Sequence, residues 1–145
     1  MKISTKGRYA LRMVVDLAIY QENSFVSLKD IAERENISKK YLEQIVPMLN
    51  KSGILKTTRG NRGGYMLVKK AEEITVGDVL RATEGSLAPV SCLEYQPNEC
   101  ERKNECSTLY IWEGLYKLVT DYLDGITVRD ILEKNPEISG IDYCI

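Results

Sequence analysis

The segment between residues 27 and 68 constrains the fold more than any other part of this sequence. Ser27 and Ser38 are typical N-caps, and each begins a short amphipathic stretch of helical periodicity, the first of which ends near Glu35. Two strand-like runs at 54–58 and 65–68 come next, separated by a basic, glycine-rich segment. Two short helices joined by a tight turn and followed by a glycine-tipped hairpin predict a helix-turn-helix with a wing.

Helical periodicity dominates the rest of the chain. A mostly apolar stretch over 6–20 predicts a buried first helix, and capping patterns at Thr75 and Thr127 begin two further short helices. A longer helix begins at Thr108 and carries more apolar surface than one small domain needs. We therefore expect a mostly α-helical chain in which a small β-hairpin forms the wing.

The net charge of −1 hides an uneven distribution of charged residues. Residues 1–70 carry 14 Lys and Arg against 6 Asp and Glu, whereas residues 71–145 carry 6 against 15. This asymmetry points to a polyanion-binding face in the N-terminal half. The first residues show no signal-peptide pattern, and no apolar run approaches the roughly 20 residues that span a bilayer. We therefore expect a cytoplasmic protein without a membrane partner.

The second helix of a helix-turn-helix is the element that enters the major groove of duplex DNA. Once the apolar residues of this helix are buried, the polar side chains left exposed are Lys39, Lys40, Glu43 and Gln44. Gln44 can bond adenine, Glu43 can accept from cytosine, and Lys40 suits guanine or phosphate. In the wing, Arg59 and Arg62 flank small residues that allow close approach to a minor groove. The alternative interpretation is an ordinary charged surface or a module that binds another protein.

Cysteine is the residue type that suggests further chemistry. The chain has no histidine and no Cys-x-x-Cys pair, which disfavours an enzyme, including a thiol redox enzyme. Cys92, Cys100 and Cys106 lie within fifteen residues of one another, and thiolates are the ligands that iron-sulfur clusters prefer. The spacing alone also permits structural zinc, or cysteines that carry no metal and switch through a disulfide. Cys144 stands apart, and we expect it to be incidental.

Five segments together make the chain recognisable: MKISTKGRYALRMVVDLA, SLKDIAERENIS, KYLEQIVPMLNKSGIL, RGNRGGYMLVK and ITVGDVLRATEG. They resemble the Rrf-two family of winged-helix transcription regulators, from Met1 to about Asp130. The resemblance implies a homodimer held by a long C-terminal dimerisation helix, and operator reading by Glu43, Gln44 and Arg59. On that helix, the predicted dimer-interface residues are Trp112, Leu115, Val119 and Tyr122. The expected divisions are a DNA-binding domain at 1–84, a cluster loop at 85–107, and a dimerisation helix with C-terminal segment at 108–145.

The resemblance also implies an iron-sulfur cluster held by Cys92, Cys100 and Cys106, with 2Fe-2S favoured over 4Fe-4S and the nuclearity left open. Two departures from the family pattern leave its fourth ligand open. One group of members places a histidine three residues after the last cysteine, where this chain has Leu109, and another uses an acidic residue where it has Arg8. The remaining candidates are a backbone group, water, an exogenous thiol, Cys144, or one of the glutamates of the loop at positions 94, 99, 101 and 105.

The predicted function is a sequence-specific regulator, such as a repressor, that binds a twofold-symmetric operator on double-stranded DNA. Through its cluster it would sense iron-sulfur status, oxidant or nitric oxide, and it would control genes of iron-sulfur cluster biogenesis. The alternative is a thiol- or zinc-based regulator of the same fold that controls cysteine metabolism or the response to nitrosative stress. A protein-interaction module that does not bind DNA is the remaining alternative.

Overall fold

The computed structural model describes residues 1–139 of the chain; the predicted roles of Cys144 and of the last residues lie outside this range. The helices are α1 (Thr5–Tyr20), α2 (Leu28–Glu35), α3 (Lys39–Lys51), α4 (Val76–Glu84), α5 (Leu109–Asp124), α6 (Val128–Lys134) and α7 (Pro136–Ser139). The strands β1 (Leu55–Thr58) and β2 (Gly64–Leu67) form one antiparallel hairpin. The predicted winged helix-turn-helix is confirmed. No helix in this range is long and apolar enough to cross a membrane.

Local capping explains where most of the helices begin. Helices α1, α2, α3, α4 and α6 each follow a hydroxyl side chain that accepts a hydrogen bond from the N–H three residues on, at 3.0 to 3.1 Å; these caps are Ser4, Ser27, Ser38, Thr75 and Thr127. Helix α2 ends at Glu35 and is followed by Asn36, whose φ of 52° lies in the left-handed region and turns the chain toward α3. The tight turn of the helix-turn-helix therefore depends on one asparagine in the left-handed region.

The hydrophobic core surrounds α1. Fully buried side chains of α1, α2 and α3 pack together, among them Met13, Leu17, Ile31, Leu42 and Ile45. Val128 of α6 is also fully buried in this cluster, so the chain returns to the N-terminal part after α5. A second, smaller cluster joins α4 to α5 through Leu80, Tyr116 and Leu123.

A buried ion pair fixes α2 against α1. The Asp16 side chain is 1% exposed and accepts two hydrogen bonds from the Arg34 guanidinium, both at 2.8 Å. These bonds raise the pKa of Arg34, and its guanidinium also lies 4.1 Å from the centre of the Tyr20 ring. The fork geometry of arginine holds the two helices at one angle, because both carboxylate oxygens are engaged.

The C-terminal end of α5 and the residues that follow it are attached to α4 and to the segment that precedes α4. Arg81 donates to both oxygens of Asp124, at 2.8 and 2.7 Å, which lowers the pKa of that carboxyl. A Cβ built on Gly77 would lie 1.9 Å from the Asp124 carboxylate, so α4 and α5 approach closely only because residue 77 is glycine. Backbone hydrogen bonds of 2.9 Å from Val76 to Ile126 and from Val128 to Ile74 complete the junction.

Candidate nucleic-acid interface and cysteine loop

Helix α3 has one buried and one exposed side. Leu42, Ile45, Val46 and Leu49 are buried, and Tyr41 packs edge-on against Tyr9 with ring centres 5.3 Å apart. The other side is exposed to solvent and carries the four predicted contacts Lys39, Lys40, Glu43 and Gln44. The first turn of α3 has two lysines and no acidic residue, an arrangement that opposes the helix dipole and favours a polyanion nearby.

The wing carries its two arginines at an exposed tip. Thr58 pairs with Gly64 at the end of the hairpin, and the loop between them closes through a 2.9 Å hydrogen bond from Gly63 to Gly60. Gly60 has a φ of 106°, which a side chain would disfavour. Arg59 and Arg62 are both exposed beside this turn.

A groove of about 410 Å³ separates the wing from the first turns of α2 and α3. Lys39, Glu43 and Arg59 line it, so the structure brings together three of the six predicted contacts. The other three, Lys40, Gln44 and Arg62, do not line the groove but lie on the same two elements. The groove combines an acidic group that can accept a hydrogen bond from a base with cations that can contact phosphate.

Lys29 also lines this groove, and the sequence pattern did not single it out. It is exposed in the first turn of α2, where a cation is unfavourable for the helix dipole. This unfavourable position of a lysine is the sequence feature that could have identified Lys29. With Lys29 included, the groove carries three cations and one carboxylate.

The cysteine loop precedes α5 and has little regular structure beyond a short 3-10 turn at Ser91–Leu93. Cys92 and Cys100 are half-buried, Cys106 is exposed, and all three are free thiols. The Asn98 side chain accepts from the Cys100 N–H at 2.8 Å. A contact of 3.6 Å between the Cys106 sulfur and the Thr108 hydroxyl lowers the pKa of Cys106, which favours its thiolate.

The donor chemistry of this loop fits an iron-sulfur cluster. It offers three thiols that form no disulfide, and one of them is biased toward the form that binds iron. Within residues 1–139, however, no three His, Cys, Asp or Glu side chains are grouped closely enough to hold a metal ion. The structure therefore does not bring Cys92, Cys100 and Cys106 together at one point.

Helix α5 presents an apolar face to solvent, and none of its residues is buried. Of the four predicted interface residues, Trp112, Leu115 and Val119 are half-buried, whereas Tyr122 is 69% exposed. Leu118, which is 70% exposed, and Ile111 extend the same face, although they are not among the four predicted interface residues. Positions 111, 115, 118 and 122 follow helical spacing and form one continuous stripe.

Comparison with known proteins places these features in a family. The family model of Rrf2, described as an iron-dependent transcriptional regulator, matches residues 3–134. The protein rrf2 of Nitratidesulfovibrio vulgaris is 43% identical over 132 residues, which is 91% of this chain and 87% of that protein. The transcriptional regulator IscR of Pectobacterium atrosepticum is 38% identical over 141 residues, which is 97% of this chain and 84% of that protein.

Two solved structures show the same architecture. CymR, the global cysteine regulator of B. subtilis, has a TM-score of 0.74 and 37% identity, covering 92% of this chain and 98% of its own. IscR of T. potens has a TM-score of 0.73 and 38% identity, covering 95% of this chain and 90% of its own. The resemblance found in the sequence motifs is thereby confirmed, and this chain belongs to the Rrf2 family of DNA-binding transcriptional regulators.

Proposed function

We propose that this regulator binds a twofold-symmetric operator as a homodimer and responds to iron-sulfur status through Cys92, Cys100 and Cys106. Its targets would be genes of iron-sulfur cluster biogenesis. The observation that carries the proposal is the order of three features along one chain: a cationic groove between α3 and the wing, three free thiols, and a helix, α5, with an exposed apolar face.

The groove supports a specific mode of DNA binding. With α3 in the major groove, Glu43 and Gln44 reach base edges, while Arg59 and Arg62 at the wing tip enter the adjacent minor groove. Glu43 and Arg59 line the same groove, so they can read neighbouring positions of one half-site. Lys29, Lys39 and Lys40 then meet phosphates, which sets the position of the protein on the duplex.

The α5 face supports the homodimer. An apolar stripe of four residues on an exposed helix is unfavourable in water and self-complementary when two copies pack together. The two wings of such a dimer are related by a twofold axis, which predicts two half-sites of opposite orientation. Trp112, Leu115 and Val119 would complete their burial in this interface.

Cluster binding is supported by donor chemistry and by the position of the loop. Cys92, Cys100 and Cys106 would hold the cluster, which supplies a metal site that oxidant, nitric oxide or iron shortage can dismantle. Because the three sulfurs are not grouped in the present geometry, the loop has to change shape on binding. Only two residues separate Cys106 from α5, so that change acts directly on the dimer helix.

A cluster-free regulator is the second candidate. The structural similarity to CymR and the lack of a grouped ligand set within the described residues both favour thiols that act without metal. In that case an oxidant would alter operator binding through a disulfide or a sulfenic acid.

Anaerobic purification separates these candidates. The cluster proposal predicts a coloured protein with visible absorption and bound iron and sulfide, lost when all three loop cysteines are changed to serine and kept in the neighbouring Ser107→Ala control. A colourless wild type after anaerobic reconstitution, with operator affinity that changes only with disulfide oxidants, would support the second candidate instead.

Glu43→Ala is expected to change sequence preference more than affinity. An acidic residue at a base edge accepts from cytosine and repels the phosphates, so its removal relaxes the choice of base while weakening binding little. The measurement is a binding competition among operators that carry each base at each half-site position. A uniform loss of affinity on every operator would contradict a base-reading role.

Lys29→Ala is expected to weaken binding about equally on operator and unrelated DNA. If Lys29 neutralises one phosphate, the slope of log K against log salt should become less steep by about 0.9. The matched control is Lys134→Ala, which removes an exposed lysine from α6, away from the groove. If the salt slope of Lys29→Ala equals that of Lys134→Ala, Lys29 does not contact the DNA.

A further inference from the structure

The outer edge of the wing has its own hydrogen-bond partners. In a two-stranded hairpin, alternate N–H groups of β2 face β1, and the others face outward. Val68, just after β2, donates inward to the Ile54 carbonyl at 2.9 Å. The N–H groups of Tyr65 and Leu67 point the other way, toward the segment that joins α1 to α2.

That joining segment acts as a substitute for a third strand. Tyr65 and Val26 exchange two backbone hydrogen bonds, of 2.8 and 2.9 Å. Beyond this pair, the backbone of the segment turns away, and the Gln21 side-chain oxygen accepts from the Leu67 N–H at 2.9 Å. One amide side chain therefore replaces the backbone carbonyl that a full strand would offer.

The sequence accepts unfavourable backbone conformations to bring this segment to the wing. Glu22 and Asn23 have φ values of 37° and 64°, in the left-handed region that residues with a side chain rarely adopt. On the wing, a Cβ at Gly64 would lie 2.3 Å from the Val26 carbonyl oxygen, so only glycine permits the contact. The segment and the wing therefore lie in close contact, with left-handed backbone angles on one side and a required glycine on the other.

We infer that Gln21 is a positioning residue for DNA recognition, which holds the wing, and through it Arg59, at a fixed angle to α3. This inference rests on the proposed operator binding. Gln21 follows the last residue of α1, so its side chain links the wing to α1. Helix α1 packs in one core with α3, and through that core the link extends to α3. Leu67 is 4% exposed, so its N–H loses a partner that water cannot readily replace if the acceptor is removed.

The test compares two substitutions of similar length in the full-length protein. Gln21→Met places a methyl group where the acceptor oxygen stands, whereas Gln21→Glu keeps an acceptor oxygen there. We expect Gln21→Met to weaken operator binding about tenfold, with little change in binding to unrelated DNA. Gln21→Glu should keep most of the wild-type operator affinity. Hydrogen exchange of the Leu67 amide should be faster in Gln21→Met alone.

A double-mutant cycle distinguishes positioning from general destabilisation. If Gln21 acts through the wing arginine, Gln21→Met should cost little further operator affinity in an Arg59→Ala background. Full additivity of the two losses, or an unchanged ratio of operator to unrelated DNA in Gln21→Met, overturns the inference while leaving the proposed function intact. A wild type that shows no preference for any operator overturns both.

Discussion

Replacing Arg34 with methionine is expected to lower the free energy of unfolding by about 3 kcal/mol, because it leaves the buried Asp16 carboxylate without its partner. Asp16 is 1% exposed, and its two oxygens both accept from Arg34 at 2.8 Å. The Arg34 side chain is itself 30% exposed, which places the expected loss at the lower end for a broken buried pair. Urea denaturation followed by circular dichroism measures the change.

A neighbouring ion pair provides the control. Arg12 and Glu35 join the same two helices at 2.9 Å, but their side chains are 46% and 22% exposed. Arg12→Met should therefore cost less than about 1 kcal/mol. Adding Asp16→Leu to Arg34→Met should recover much of the stability, since a well-packed apolar pair can replace a buried ion pair. Equal losses of stability in Arg34→Met and Arg12→Met would show that removing Arg34 does not leave an uncompensated buried charge at Asp16.

The winged helix-turn-helix could be predicted from sequence because its signals are local. Ser27, Ser38 and Thr75 are caps that act within one helical turn, and Gly60 of the wing is required by the backbone angle of its own position. The apolar periodicity of α1 and α3 then decides which side is buried. Each of these signals depends on neighbours within about four residues, so no knowledge of the tertiary contacts was needed.

The rest of the site depends on contacts between distant segments, which periodicity does not report. Lys29 becomes part of the groove only because α2, α3 and the wing meet there. Gln21 reaches Leu67 across 46 positions of sequence, and nothing in its local pattern distinguishes it from an ordinary residue at a helix end. Which residues of the α5 stripe are most exposed also depends on the packing of α4 against that helix.

The three cysteines show a different gap between sequence and structure. Their spacing predicts a ligand set, and their free thiols retain that chemistry. Their grouping, however, depends on a loop held by few contacts, such as the bond from the Cys100 N–H to Asn98. In the proposed sensor this arrangement would be an advantage, because a site that closes only when the cluster binds can also open when the cluster is lost.

Replacing Leu118 with aspartate is expected to raise the dissociation constant of the homodimer about 100-fold or more. The side chain is 70% exposed in the single chain, so the change should leave the folded protomer intact. In a dimer built on the α5 stripe, the same position is buried, and an unpaired carboxylate there costs about 3 kcal/mol. Trp112 is a weaker test, because it is half-buried within its own chain and its loss would also disturb that packing. Sedimentation velocity over a range of concentrations measures the shift.

Leu118→Met is the matched control, since it keeps an apolar side chain of similar volume and should leave the dimer unchanged. The aspartate variant should also lose operator affinity steeply while its affinity for a single half-site changes little, because two linked half-sites bind far more tightly than one. Circular dichroism confirms that each variant is folded before the comparison. If Leu118→Asp sediments as the wild type does and binds the operator with unchanged affinity, the α5 stripe does not form the dimer interface.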